Sequence, residues 1–227
     1  MSVLTVATQK GGAGKTLLCQ VLASTLAPDM RVVAIDADPT GALSRWASRA
    51  YEGPSFEAIA EADETKLAHL IAAKVDAADL VLVDTAGFGN RAATVAMTSA
   101  DAVLVPSLVG EADVTEAERT VGLVGALSRA ARRDIPVKVI LNRVKRTTLA
   151  RHAMTEMSTA GLPRLEATLS DLVAYGELTY SGTLADKSPA AVEVDALIKE
   201  LRQLGWISAE ASSRNAVKTK RRMDVAQ

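Results

Sequence analysis

The sequence has a single cysteine among its 227 residues. One thiol excludes an intrachain disulfide framework, and it argues against an iron–sulfur cluster because such clusters need several thiolate ligands. Cys19 lies among Leu17, Leu18, Val21 and Leu22. We therefore expect a buried structural thiol rather than a reactive or metal-binding one.

Long apolar runs are also missing. No stretch approaches the roughly 20 apolar residues that a membrane-spanning helix needs. The N-terminus enters an apolar strand pattern too early for a secretory signal peptide. The sequence therefore predicts a cytoplasmic protein, and no membrane partner is expected.

An excess of charge of either sign is absent, since the formal net charge is −1. Total charge therefore predicts no bulk attraction to nucleic acids or membranes. The distribution is uneven: residues 129–151 contain eight basic residues and one acid, and residues 214–222 contain five more basic residues. This pattern predicts one basic region on the folded protein.

Short runs rich in Val, Ile and Leu recur along the chain, and each is followed by a helical pattern. The runs are Val3–Ala7, Arg31–Asp36, Leu80–Asp84, Ala102–Pro106 and Val137–Asn142. Strands that are apolar on both faces and alternate with helices are typical of a parallel sheet covered on both sides. The longest helical pattern covers Val114–Arg132.

The length suits one sizeable domain with a buried core. We predict an α/β domain over residues 1–207, with a mostly parallel central sheet and helices on both faces. Residues 208–227 are rich in Ser, Ala, Lys and Arg. They predict a basic, flexible C-terminal tail.

A glycine-rich segment follows the first strand pattern and precedes a helix. It reads Lys10-Gly11-Gly12-Ala13-Gly14-Lys15-Thr16. Glycines let backbone N–H groups turn toward a polyphosphate, and the start of the next helix adds partial positive charge. Lys15 would reach the β- and γ-phosphates, and the Thr16 hydroxyl would bind magnesium. The segment is a phosphate-binding P-loop in a deviant form, because Gln9 stands where the usual first glycine would be.

Three carboxylates follow other apolar strands. Leu80–Asp84 has the pattern of a Walker B strand, in which Asp84 would hold magnesium beside Thr16. The second strand ends in Asp36-Ala37-Asp38-Pro39, which places two more carboxylates at the edge of the sheet where ligands bind in such folds. Without the P-loop, helix capping and turn formation would be the preferred explanation for these two aspartates.

These motifs together resemble the ParA/MinD class of P-loop ATPases, whose deviant Walker A loop is K-G-G-x-G-K-[ST]. The resemblance implies an ATP-sandwich dimer in which Lys10 reaches the nucleotide of the other subunit, since Lys15 already serves its own. It also implies that Asp38 orients the attacking water and that Asp36 belongs to the magnesium environment. The implied cofactors are ATP and Mg²⁺, and the implied catalytic residues are Lys10, Lys15 and Asp38. No histidine or glutamate lies in these motifs as a stronger base, so hydrolysis by the protein alone should be slow.

The nucleotide contacts extend beyond the P-loop. Asn142 ends a strand pattern, and its amide can donate to and accept from an adenine edge, although asparagine at a strand end is also a common turn former. In the resembling class this residue or its neighbour contacts the base, and a later segment contributes Asp171. The predicted nucleotide contacts are Gly11, Gly12, Ala13, Gly14, Lys15, Thr16, Leu17, Asn142, Arg143 and Asp171; the predicted magnesium environment is Thr16, Asp36 and Asp84.

Three functions are compatible with the motifs. A ParA-type partition ATPase binds DNA nonspecifically as its ATP dimer, and Arg143, Lys145, Arg146 and Arg151 offer phosphate contacts without a base-reading element. A MinD-type membrane-associated ATPase needs a C-terminal amphipathic helix, and residues 208–227 lack its apolar face. A metabolic P-loop synthetase would not require a lysine at position 10.

We expect the short ParA form, because no helix-turn-helix domain fits before a P-loop that begins at residue 10. The expected partners are a second copy of the chain with ATP, nonspecific duplex DNA, and a ParB-like or other adaptor protein that stimulates hydrolysis. The ATP-bound form would then associate with the nucleoid. The sequence does not specify whether the cargo is a plasmid, a chromosome or a protein assembly.

Overall fold

The computed structural model describes residues 2–87 and 89–208. They form a seven-stranded sheet in which every neighbouring pair of strands is parallel. In chain order the strands are β1 (Ser2–Val6), β2 (Val32–Ala37), β3 (Glu57–Ala60), β4 (Leu80–Thr85), β5 (Ala102–Ser107), β6 (Val137–Val144) and β7 (Arg164–Ser170). The spatial order is β3-β2-β4-β1-β5-β6-β7, which places β1 and the P-loop after it at the centre. The predicted tail beyond Ser208 lies outside the described residues.

Helices cover both faces of the sheet, which confirms the predicted α/β fold. In the described part of the chain they are α1 (Lys15–Leu26), α2 (Ala42–Arg49), α3 (Glu64–Val75), α4 (Arg91–Ser99), α5 (Glu111–Ala131), α6 (Thr148–Thr159), α7 (Val173–Ser181) and α8 (Pro189–Gln203). The first two and the last two pack on one face of the sheet. Helices α3 to α6 pack on the other.

The central strands are buried on both faces, as the continuous apolar runs predict. In β1, Leu4 and Val6 point into the layer of α1 and α8, whereas Val3 points into the opposite layer. Full burial of a Val or Leu side chain contributes about 1.5–3 kcal/mol. The loops that follow these strands therefore start from a well-anchored edge.

The five predicted strands are all present, but β3, β7 and α7 were not predicted. Helix α5 also begins at Glu111, three residues before the predicted Val114. Its first turn contains Glu111 and Asp113, and acids in a first turn are stabilised by the positive end of the helix dipole. The earlier start brings Asp113 into the helix and, as shown below, into contact with the P-loop.

Strand β7 lies at one edge of the sheet, and the carboxylates of α8 satisfy part of its exposed backbone. The Glu200 carboxylate accepts hydrogen bonds from the backbone N–H groups of Glu166 and Ala167, at 2.9 and 2.8 Å. Glu193 accepts from the N–H of Ser170 at 2.8 Å and from the Tyr175 hydroxyl at 2.8 Å. Unpaired edge groups are a template for association, so these two glutamates protect the edge.

An aromatic cluster joins α2 to α7. The Trp46 ring packs against Tyr51 and Phe56, with ring centroids 5.2 and 6.2 Å away. Its indole N–H donates to the backbone carbonyl of Leu178 in α7, at 3.0 Å. Trp46 therefore links the helix after the Asp36–Asp38 segment to the helix after β7.

Cys19 has the environment that the sequence predicts. It is a free thiol, it is fully buried within α1, and burial raises its pKa well above the ordinary value. A thiol that stays protonated and inaccessible is a weak nucleophile and a poor metal ligand.

Within residues 2–87 and 89–208, no helix combines the length and the apolar character that crossing a bilayer requires.

Candidate functional site

The P-loop lies at the carboxyl edge of the sheet, between β1 and α1. An added Cβ at Gly11 or Gly12 would meet nothing within 4 Å, so the space above the loop is open. Gly14 is the N-cap of α1 with a φ of 95°, and no side chain caps this helix start. The first N–H groups of α1 are therefore available to an anion.

Lys15 lies beneath the loop. Its ammonium donates to the backbone carbonyl of Lys10 at 3.1 Å, and the residue is only 8% exposed. Burial lowers its pKa, while the nearby charges of Asp84 and Asp38 oppose that shift. Lys15, which is predicted to bind the phosphates, is thus held at the loop, close to the carboxylates of Asp84 and Asp38.

Lys10 has a different environment. Its side chain is 37% exposed and forms an ion pair with Asp113 in the first turn of α5, with 2.7 Å between Nζ and Oδ1. The ion pair directs Lys10 toward α5 rather than toward the buried ammonium of Lys15. The two lysines of the loop are therefore placed for different tasks.

Asp84 is fully buried at the end of β4, and neither of its oxygens accepts a hydrogen bond among the described residues. Burial is the main cause that raises its pKa to about 7; the Thr16 hydroxyl is near enough to oppose this shift, although not in ordinary hydrogen-bond geometry. An unpaired buried carboxylate beside a hydroxyl is a poor arrangement for a folded core and a suitable one for a divalent cation with oxygen ligands. These residues therefore fit magnesium.

Asp36 lies opposite Asp84 on the neighbouring strand, but both of its oxygens have partners. One accepts from the backbone N–H and hydroxyl of Ser44, at 2.8 and 3.1 Å, and the other accepts from the N–H of Asp38 at 3.2 Å. Its charge also contributes to the raised pKa of Asp84. Asp36 thus affects the magnesium environment through its charge and by shaping the segment that carries Asp38.

Asp38 is partly exposed, and its carboxylate accepts from the N–H of Thr40 at 2.8 Å. Its charge raises the pKa values of both Lys15 and Asp84, so it lies near the place that the P-loop leaves for phosphate. One Asp38 oxygen forms a turn. The other has no hydrogen bond among the described residues and can take a water molecule.

A cleft of about 570 Å³ lies beside the P-loop and brings together four of the predicted nucleotide contacts, Leu17, Asn142, Arg143 and Asp171. The opposite wall of this cleft is formed by the segment from Leu172 through α7, which the sequence pattern did not predict as part of the site. The lining residues there are Leu172, Val173, Tyr175, Gly176, Glu177, Thr179 and Tyr180. The size and the apolar side chains suit a purine ring.

The Asn142 side chain also contacts the P-loop. It is 2% exposed, and its amide N–H donates to the backbone carbonyl of Ala13 at 2.9 Å. The next residue, Arg143, is exposed and has a φ of 51°, which is unusual for a residue other than glycine. The predicted base contact therefore has a partner within the P-loop that its sequence did not reveal.

The predicted DNA contacts divide into two groups. Lys145, Arg146 and Arg151 line an open cleft of about 860 Å³ at the start of α6, whereas Arg143 lines the cleft beside the P-loop. Lys145 forms an ion pair with Asp171 at 3.1 Å, and its side chain is 70% exposed. We call Lys145, Arg146 and Arg151 the α6 basic cluster.

Comparison with known proteins places these features in a family. The family model described as the VirC1 protein matches residues 1–203. The chain is 30% identical over 192 residues to the protein VirC1 of Rhizobium rhizogenes, covering 81% of this chain and 83% of that protein. It is 29% identical over 188 residues to a ParA protein of Rhizobium radiobacter, covering 80% and 84%.

The fold also has solved counterparts. The structure of an ATP complex of a McdA variant from Cyanothece matches with a TM-score of 0.76, covering 92% of this chain and 98% of that one. The identity is 17%, so the likeness shows the fold alone.

Proposed function

The chain belongs to the VirC1 protein family and is an ATPase of the ParA/MinD type, and from that premise we propose that two copies enclose ATP, bind duplex DNA and position a cargo. The observation that carries the proposal is the separation of the two P-loop lysines. Lys15 is buried against its own loop, and Lys10 is directed away from it. Lys10 is therefore available to a phosphate held by a second subunit.

The γ-phosphate controls this association. ADP lacks the charge that a second lysine would neutralise, so ATP and ADP differ in affinity for the dimeric state, as any ligand-driven switch requires. Within a single chain Asp113 neutralises Lys10. Dimerisation would exchange one anionic partner of Lys10 for another.

The Thr16 hydroxyl and the Asp84 carboxylate would hold magnesium, which neutralises the charge that develops on the phosphates during transfer. Lys15 binds the phosphates, and Asp38 positions the attacking water. Asp38 is the single candidate for this last role among the described residues of the motifs, where no histidine or glutamate lies as a stronger base. Turnover by the protein alone is therefore slow, and a ParB-like or other adaptor protein would stimulate it.

Lys10→Ala should lose ATP-dependent dimerisation. With ATP the wild-type protein should have the mass of a dimer, with ADP that of a monomer, and Lys10→Ala should remain a monomer with both. Asp113→Asn is the matched control because it removes the partner of Lys10 and keeps the lysine. Light scattering coupled to size exclusion measures the masses.

Asp113→Asn should dimerise at an ATP concentration equal to or below that of the wild type, since Lys10 no longer has to leave an anionic partner before it meets the phosphate of the second subunit. A wild-type monomer with ATP, or a Lys10→Ala dimer with ATP, would contradict the sandwich arrangement.

DNA binding is the second part of the proposal. The α6 basic cluster would be presented twice by a two-fold dimer. It offers charge without an element that reads bases, so binding would depend on phosphates and not on sequence. The ATPase domain of residues 1–207 would bind DNA in this way, and the ATP-bound form would associate with the nucleoid. The tail of residues 208–227 would add a second basic arm, formed by Lys218, Lys220, Arg221 and Arg222.

The triple variant Lys145→Ala, Arg146→Ala, Arg151→Ala should bind duplex DNA with a weaker salt dependence than the wild type. The slope of log affinity against log salt should fall by up to about 5, because each phosphate contact contributes about 0.9 and the dimer carries each side chain twice. The control removes the same charge elsewhere, as Arg49→Ala, Lys66→Ala, Lys199→Ala, at exposed positions. Fluorescence anisotropy with random duplex, ATP and a salt series measures the slope.

Equal slopes for the triple variant and its control would exclude the α6 basic cluster as the DNA surface. Truncation after Ser208 tests the tail separately and spares Ile207, which is buried. If the ATP-bound protein bound anionic vesicles and not DNA, a MinD-like function would replace the proposal. Binding to neither would favour a metabolic P-loop synthetase.

A further inference from the structure

The amide of Asn142 connects two segments that are far apart in the sequence. Its N–H donates to the carbonyl of Ala13 at 2.9 Å across a separation of 129 residues, and its oxygen accepts from the N–H of Arg143 at 2.9 Å. The side chain is buried. A buried amide with both ends hydrogen-bonded is held in one orientation.

The fit between Asn142 and the P-loop is close. A Cβ added to Gly14 would lie 2.0 Å from the amide nitrogen of Asn142, a distance that no real Cβ contact tolerates. Glycine is therefore required at position 14 for two reasons, the φ of 95° and the space that the Asn142 amide occupies. The P-loop and the end of β6 therefore pack closely against each other at Gly14 and Asn142.

An irregularity in β6 directs Asn142 toward the loop. The register between β6 and β7 shifts between Leu141 and Val144, and Arg143 within this interval has a φ of 51°. Such irregularities change the direction in which a side chain points and recur beside functional sites. Leu141 is fully buried and anchors the strand just before the irregularity.

The peptide group between Ala13 and Gly14 explains what this contact does. A trans peptide is planar, and its C=O and N–H point in opposite directions. Because Asn142 holds the Ala13 carbonyl on one side, the Gly14 N–H of the same peptide must point to the other side. In a P-loop that side is the interior, where backbone N–H groups face a phosphate.

We infer that Asn142 is a positioning residue of the P-loop, which fixes the Ala13–Gly14 peptide so that its N–H faces the bound phosphate. The inference rests on the proposed nucleotide site and assigns Asn142 to the phosphate end of the ligand rather than to adenine. It predicts that loss of the amide weakens binding of any polyphosphate. A base contact would instead affect only ligands that carry the base.

The test compares Mg·ATP with inorganic tripolyphosphate, which has no base. Asn142→Ala and the nearly isosteric Asn142→Leu should each weaken both ligands by about tenfold, as expected when a buried acceptor loses its donor. The ratio of the two affinities should stay within about twofold of the wild type. Titration calorimetry measures ATP, and competition against ATP measures tripolyphosphate.

Leu197→Ala in α8 is the control for a general loss of stability. It removes the apolar contacts of a fully buried side chain outside the end of β6 and without removing a hydrogen bond to the loop, so both affinities should remain at the wild-type level at a temperature where all variants are folded. Weakened ATP with unchanged tripolyphosphate would overturn the inference and assign Asn142 to the base. Unchanged affinity for both would overturn it as well. A wild-type protein that bound neither ligand would overturn the nucleotide site itself, and this inference with it.

Coupling between Gly14→Ala and Asn142→Ala gives an independent measurement. In the wild-type background the added methyl group meets the Asn142 amide, and in the Asn142→Ala background it does not. The loss of ATP affinity caused by Gly14→Ala should therefore be several-fold smaller in the second background, with a residual loss from the positive φ. Equal losses in both backgrounds would show that the two residues act independently.

Discussion

Replacing Asp38 with alanine should lower steady-state ATP turnover by about a hundredfold or more while leaving ATP-dependent dimerisation intact, since a positioned base contributes about 10²–10⁴ in rate. The carboxylate lies close enough to Lys15 and Asp84 to shift both of their pKa values, but it has no hydrogen bond to the P-loop. Its loss should therefore affect the attacking water and not the affinity for ATP. Phosphate release and mass measurements with ATP test the two halves of this expectation.

Asp38→Asn separates the two roles of this side chain. An asparagine keeps an oxygen that can accept from the Thr40 N–H, so the turn should be retained and the thermal midpoint should stay near that of the wild type. The amide is not a base, so turnover should remain as low as in the alanine variant. If Asp38→Asn hydrolysed ATP at the wild-type rate, Asp38 would be a turn former only. Lys15→Ala, in contrast, should lose nucleotide affinity itself.

Asp84→Asn should stabilise the nucleotide-free protein at pH 8 and abolish the stabilisation that Mg·ATP gives the wild type. Folding raises the pKa of Asp84 from 3.8 to about 7, so the folded state favours the protonated acid. The stability that this group contributes is fully present below about pH 4 and is lost as the pH rises through 7. A shift of about 3 units corresponds to a loss on the order of 4 kcal/mol, which the neutral amide avoids.

Urea unfolding in EDTA at pH 5, 6, 7 and 8 measures this effect. The difference in unfolding free energy between Asp84→Asn and the wild type should be smallest at pH 5 and should level off above pH 7. With Mg·ATP the order should reverse, because the charged carboxylate binds the cation far more strongly than the neutral amide does. A difference that stayed constant across the pH series would mean that Asp84 is charged throughout, and the assignment of its pKa would then be wrong.

The strands that the sequence predicted correctly are mainly those in which most consecutive residues are apolar and buried. The central strands are apolar at most positions, and their polar residues lie mainly at the strand ends. Their pattern is therefore recognisable without knowing which strands are neighbours. Strand β3 has only four residues, and its outer two, Glu57 and Ala60, are exposed. Strand β7 lies at the edge of the sheet, and apolar residues alternate with charged ones in its first half. Helix α7 buries only Tyr175 and Leu178. Their local patterns are too weak to define a strand or a helix without the tertiary contacts.

Site prediction followed the same division. The P-loop is a contiguous segment, and its glycines and lysines are meaningful by spacing alone. The ion pair between Lys10 and Asp113 joins the loop to a helix that starts earlier than its apolar pattern indicates. The contact between Asn142 and Ala13 depends on an irregularity in β6. Both are contacts between distant segments, and their direction is set by backbone geometry that composition and periodicity do not encode.

The Trp46 indole is an intrinsic fluorescence probe of conformational change in this chain. Its emission depends on the hydrogen bond to Leu178 and on the packing of Tyr51 and Phe56. One end of this contact lies on the helix that follows Asp38, and the other lies on the helix that walls the cleft beside the P-loop. The chain has only one other tryptophan, Trp206. With Trp206→Phe, the intrinsic fluorescence would report displacement between these two helices in real time, without an attached dye.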